Sequence, residues 1–212
     1  MLILKNISLD LGGFPILDKI NLDICEGDFK CITGINGSGK TSLLMLIKGL
    51  YVSSSGIIDF AKNISYSSIS YVSKRPNSFF MRLTVMENIE FFYNLMINRD
   101  KMPMNAIFDL INVLGLRDKI NTECMSLSSG ELQKLSIIRG LIRNPSIILF
   151  DESLSSMDSK SRSNFLHYYQ DLISKNPHKA TIWVTHDLNE IHEFNYDHFV
   201  LEGKKLKSIQ KK

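Results

Sequence analysis

A chain of 212 residues and 24.2 kDa has room for one large domain, or a domain with a smaller insertion, around a buried core. Hydrophobic residues make up 44% and charged residues 22%, a globular mixture that excludes a disordered or fibrous chain. The net charge of +3 is too small to argue for a nucleic-acid partner, and no apolar run approaches the roughly 20 residues that span a bilayer.

The opening MLILKNISLD turns polar too early for a secretory signal, so the chain is expected in the cytosol. Cys25, Cys31 and Cys124 are odd in number and lack metal-ligand spacing, which favours reduced thiols. Lysines 204, 205, 207, 211 and 212 read as a frayed, solvated tail.

Ile7, Leu9 and Leu11 alternate with polar neighbours, and Ile20, Leu22 and Ile24 repeat the pattern after Gly12 and Gly13. Both read as half-buried antiparallel strands. Residues 29–33 form a short buried strand that runs into glycines, and 42–48 a helix ending at Gly49. Strands follow at 57–60 and 69–72, then helical periodicity at 85–95 and 106–114. A third helix is expected from Leu132 to Arg143, stopped by Pro145, and 147–150 is β-branched and apolar like a strand buried on both faces. Helix at 162–173, strand at 181–184 and a final strand at 199–201 turning at Gly203 complete an α/β core around a helical insertion.

Gly34, Ile35, Asn36, Gly37, Ser38, Gly39, Lys40 and Thr41 fit G-x-x-x-x-G-K-[ST], between an expected strand and an expected helix. Glycines let the backbone curl until its N–H groups face phosphate oxygens, and the helix N-terminus adds a favourable dipole. Lys40 brings a cation for the β- and γ-phosphates, Thr41 a hydroxyl for Mg²⁺, and Ser42 continues the loop into the helix. The pattern predicts ATP with Mg²⁺. Asp151, at the end of an apolar strand, is placed to reach the metal shell, and Glu152 to act on the attacking water.

Leu127, Ser128, Ser129, Gly130 and Glu131, upstream of Asp151, resemble the LSGGQ signature of ABC transporter nucleotide-binding domains, and the resemblance covers residues 2–206. It implies a P-loop NTPase core with a mainly parallel sheet, an N-terminal antiparallel β subdomain, and a helical subdomain at about 78–142 within a single domain of 1–212. It also implies an ATPase that energises transport by transmembrane permease subunits, pairs as a homodimer or heterodimer, and lies peripherally on the inner face of the cell membrane. Ser128, Ser129, Gly130 and Glu131 would then cap the γ-phosphate of a partner's ATP, Asp158 would sit in a loop crossing that interface, and His186 would be the switch residue beside Glu152.

Departures from the family pattern are Lys74 at the switch-loop glutamine, Ser129 and Glu131 in the signature, and Ser153 where a proline usually follows the glutamate. Phe14 is the aromatic nearest the adenine-stacking position. The small size resembles exporter subunits such as the haem exporter ATPase. Two alternatives carry different expectations. A low-turnover nucleotide-binding regulator is suggested by Lys74, whereas a soluble DNA-repair type would need a coiled-coil insertion or tandem domains.

Overall fold

The computed structural model describes residues 1–75, 78–95 and 101–209. The chain divides into two compact units. Met1–Tyr71, Ser146–Glu152 and Asn176–Lys212 form the first, and Val72–Pro145 with Ser153–Lys175 the second. Lys211 and Lys212, and residues 96–100 of the expected helical subdomain, lie outside the described residues.

In the first unit, β1 (Leu2–Leu11) and β2 (Phe14–Ile24) pair antiparallel about the Gly12–Gly13 turn. β3 (Phe29–Thr33) leads through the glycine-rich loop into α1 (Lys40–Ile47), and β4 (Ser55–Phe60) completes a three-stranded sheet in the order β2-β1-β4. Period-two patterning puts Leu2, Leu4 and Leu9 of β1 and Ile20, Leu22 and Ile24 of β2 in the core.

β5 (Ile69–Val72), β6 (Ile147–Asp151), β7 (Ala180–Val184), β8 (Asp197–Glu202) and β9 (Lys205–Ile209) join β3 in a six-stranded sheet ordered β5-β6-β7-β3-β8-β9. The pairs β6–β7, β7–β3 and β3–β8 are parallel, whereas β8–β9 is antiparallel. Every residue of β6 and β7 is buried, which explains their continuous apolar runs. Ile147, Leu149, Ile182 and Val184 join Leu43, Leu44, Leu46 and Ile47 of α1 in one apolar cluster. The alternate residues build an aromatic layer, with Phe150 4.4 Å and Phe29 5.9 Å from the Trp183 ring. Each large side chain buried in this way contributes about 1.5–3 kcal/mol.

The second unit is helical: α2 (Val85–Asn94), α3 (Met104–Val113), α4 (Ser129–Ile142) and α5 (Ser159–Ser174). α2 packs on α4, and α3 lies against both α4 and α5. Asn88 is fully buried yet satisfied, its amide nitrogen donating to the carbonyls of Phe80, Leu83 and Thr84. Among the described residues no helix is long and apolar enough to cross a membrane.

Three details depart from the sequence expectation. α4 begins at Ser129 rather than Leu132, because Ser128 and Glu131 form a capping box at its start. β8 is not the final strand, since the chain turns at Gly203 and Lys204 and returns as β9. The lysines at 205 and 207 therefore belong to a paired strand instead of a frayed tail. Lys207 Nζ is 2.9 Å from Glu202 and Lys205 Nζ 3.7 Å from Asp18.

Candidate active site

The glycine-rich loop is held by close backbone approach. A Cβ built on Gly34 would lie 2.5 Å from the Leu201 carbonyl oxygen, so only glycine fits beside β8. Gly39 adopts φ 103° as the N-cap of α1, a left-handed conformation that aims the next backbone N–H groups into the loop. Lys40 is buried, and its Nζ donates to the carbonyls of Gly34 at 2.7 Å and Ile35 at 3.0 Å, so the ammonium sits inside the curl. Ser38 Oγ is buried and meets no hydrogen-bond partner among the described residues. Ile35, Asn36 and Gly37 form the exposed rim. A cradle with a central cation, an orphaned hydroxyl and helix-terminal N–H groups suits an anion with several oxygens.

At the start of α1, Thr41 Oγ1 donates to Asp151 Oδ2 at 2.9 Å, joining the loop to a carboxylate 110 residues away. Ser42 follows Thr41 in the first turn of the same helix. Asp151 is 4% exposed at the end of β6, and Tyr71 Oη donates to the same oxygen at 2.8 Å. Burial, followed by the Asp151 charge, pushes the Tyr71 phenol far above its ordinary range, so it remains a donor. Sequence reasoning passed over Tyr71. The available signal was a polar-tipped aromatic in a buried strand, which demands a hydrogen-bond partner.

Glu152 follows in a left-handed conformation, φ 46°, rare for a residue with a side chain, and its N–H bonds the Val184 carbonyl at 2.9 Å. Its carboxylate is 8% exposed and lies 3.5 Å from His186 Nδ1. The imidazole is largely exposed and makes an ion pair only when protonated. Thr185 anchors the turn that carries it, donating to Glu190 at 2.9 Å and accepting from the Asp187 N–H at 3.0 Å. The structure thus brings together Lys40, Thr41, Asp151, Glu152 and His186 within the first unit.

Ser128, Ser129, Gly130 and Glu131 belong to the second unit. Ser128 Oγ accepts the Glu131 N–H at 3.2 Å, while Glu131 Oε2 accepts from the Ser128 N–H and Oγ, each at 2.8 Å. The backbone bond from Ser128 leads the causes that hold the Glu131 carboxyl below its usual range. A Cβ on Gly130 would lie 2.8 Å from the Ser156 carbonyl oxygen, which explains a glycine inside a helix's first turn. Asp158 caps α5, accepting the Ser161 N–H at 2.8 Å, and pairs with Lys134 Nζ at 2.8 Å. These bonds, the one from Lys134 first, hold its carboxyl well below the ordinary range. Gln133, two residues past the signature, is fully buried and donates to the Ser73 carbonyl at 3.0 Å. Lys74 is exposed, as is Phe14, with 73% of its surface open.

A glycine cradle closed by lysine, a hydroxyl–carboxylate link and an adjoining Glu–His pair form one constellation, and the profile of the ABC transporter family matches residues 17–155. The chain belongs to the ABC transporter family. It is 36% identical over 200 residues to the ergothioneine transport ATP-binding protein EgtV of Helicobacter pylori (strain G27), covering 88% of this chain and 90% of that one. The probable iron export ATP-binding protein FetA of Escherichia coli (strain K12) is 33% identical over 204 residues, covering 90% and 87%. The energy-coupling factor transporter ATP-binding protein EcfA1 of Mycoplasma pneumoniae is 31% identical over 196 residues, covering 88% and 70%. The fold matches the dimeric post-hydrolysis state of the ATP-binding cassette MJ0796 bound to ADP and Pi, with TM-score 0.82, 26% identity and 100% coverage of both chains. The expected fold is therefore found: a mostly parallel α/β sheet with an antiparallel β subdomain and a helical part. As a member of this family the ABC chain is a nucleotide-binding ATPase subunit that energises transport with transmembrane partners.

Proposed function

We propose that residues 1–212 form a single nucleotide-binding domain, with a helical subdomain at about 78–142, that hydrolyses MgATP at the inner face of a cell membrane. The observation that carries the assignment of the site is the Thr41–Asp151 bond, which places an acid-pair strand at the mouth of the glycine loop. Backbone N–H groups from Gly34, Ile35, Asn36, Gly37, Ser38, Gly39 and Ser42 bind the phosphates, and Ser38 Oγ gains its missing partner there. Lys40 exchanges its two loop carbonyls for phosphate oxygens. Thr41 and Asp151 would hold a Mg²⁺ ion, which would supply neutralisation of charge on the phosphates.

Glu152 orients the attacking water and takes its proton as the water oxygen bonds to the γ-phosphorus and the bond to the β-phosphate oxygen breaks. ADP leaves as the departing group. His186, 3.5 Å from Glu152, donates toward the γ-phosphate and keeps the carboxylate aligned. Ser128, Ser129, Gly130 and Glu131 act on the nucleotide of a second subunit, identical or similar, through the N-terminus of α4. Phe14 is the candidate for stacking on adenine, since its ring is exposed.

The membrane partner is taken to dock on the segment around 74–87, of which Pro76 and Asn77 lie outside the described residues. Support comes from exposed apolar surface there: Phe80 and Met81 are 46% and 45% open, and Phe80 meets the exposed Phe91 ring at 4.4 Å. Steady-state hydrolysis by the wild-type chain with its membrane partner tests the chemistry. Glu152→Gln is expected to lower kcat by about 10²–10⁴ while ATP still binds. Equal turnover in the two proteins would remove Glu152 from the reaction.

A further inference from the structure

Asp151 is bonded from two directions, and the two donors face different demands. Thr41 Oγ1 and Tyr71 Oη both reach Oδ2, at 2.9 and 2.8 Å. If Thr41 also serves a divalent cation, its hydroxyl is divided between the metal and the carboxylate. Tyr71 has no such second duty. Its backbone is fixed in β5, the edge strand of the six-stranded sheet, in the neighbouring position to β6, which carries Asp151. The side chain reaches the Asp151 carboxylate with an O–H donor, which neither phenylalanine nor methionine supplies. With Asp151 4% exposed, little water is at hand to take over that bond.

We infer that Tyr71 is a positioning residue for the divalent cation of the nucleotide, its hydroxyl holding the Asp151 carboxylate in the orientation that receives the metal. The inference rests on the reading of Asp151 as a metal-binding group. Outer partners of a ligating carboxylate fix its direction, and their loss is felt in metal affinity before it is felt elsewhere. Tyr71 also ends the first segment of its unit, and Val72, the last residue of β5, leads on to Ser73 and Lys74. The same hydroxyl therefore ties the metal-binding carboxylate to the strand from which the switch-loop position departs.

The test is Mn²⁺ binding to the full-length chain in the presence of ATP, followed by electron paramagnetic resonance, for wild type, Tyr71→Phe and Asp151→Asn. Tyr71→Phe is expected to weaken Mn²⁺ binding about tenfold or more, and to raise the Mg²⁺ concentration for half-maximal hydrolysis more than it lowers kcat. Metal-free ATP affinity, measured in EDTA, stays at the wild-type value. Wild-type Mn²⁺ affinity in Tyr71→Phe, with Asp151→Asn impaired, would make Tyr71 a packing residue and overturn the inference. Wild-type affinity in Asp151→Asn would remove the metal role of Asp151 itself, and the inference with it. Thermal unfolding checks that each variant is folded, and if Tyr71→Phe is not, Tyr71→Met is titrated in its place.

Discussion

The glycine loop and the signature segment both sit where a helix begins, yet they are built on opposite principles. In the first unit the groups come from far apart: Thr41 of α1, Tyr71 of β5 and Asp151 of β6 meet across separations of 110 and 80 residues. In the second unit Ser128 and Glu131 satisfy one another within three residues, largely at the surface. Long-range assembly buries Lys40, Asp151 and Glu152 of the first site. The local capping box makes the second autonomous, a preformed helix end that another subunit can approach.

That contrast sets the size of the effects. Gly34→Ala should be the most damaging to the fold, because its Cβ would meet the Leu201 carbonyl at 2.5 Å, and backbone cannot move as a side chain tip can. A loss of about 1–3 kcal/mol is expected in urea unfolding. Unchanged stability would show that the loop is looser than its contacts indicate.

Acid should separate the two units. Glu87, Glu131 and Asp158 each accept bonds at the start of α2, α4 or α5, and all three carboxyls are held below their ordinary range. Hydrogen bonds from Thr84, from Ser128 and from Lys134 are the leading causes in turn. Folded-state values below the unfolded ones mean that this stabilisation is complete above the ordinary carboxylate range, about pH 4, and is lost as pH falls through the lowered values. Trp183, the single tryptophan, is buried in β7 and reports the first unit. On acidification, helical circular dichroism should therefore decline before Trp183 fluorescence shifts. Coincident transitions would mean that the caps do not govern acid stability.

Ser128→Ala should be the mildest, removing the capping box at a cost of about 1 kcal/mol. Ser126→Ala, an exposed serine outside the box, serves as the reference in the same denaturant titration. A cost no larger than the reference would deny the box an energetic role.

How much the sequence revealed follows the same division between local and distant contacts. The strands at 29–33 and 69–72 match β3 and β5 end for end, since short apolar runs bounded by turns leave little choice. Hydrophobic periodicity placed the start of α4 at Leu132, three residues late, because the Ser128–Glu131 capping box extends the helix ahead of its first apolar residue. β9 was illegible because KLKSI has almost no buried face; its pairing with β8 supplies the order. The phosphate loop, Asp151, Glu152 and His186 were legible as motifs. Tyr71 was not, because nothing local links it to a carboxylate 80 residues on. The six-stranded order, with β3 between β7 and β8, likewise exists only once the chain has folded.

We propose that each glycine loop is half of a site, completed by the Ser128 segment of another subunit. Sedimentation velocity of Glu152→Gln, with and without saturating MgATP, addresses it most directly. With hydrolysis blocked, ATP should convert the monomer into a dimer, and Ser128→Arg in the same background should prevent it by crowding the helix end. Monomers under saturating ATP, or a dimer indifferent to nucleotide and to Ser128→Arg, would refute the half-site arrangement.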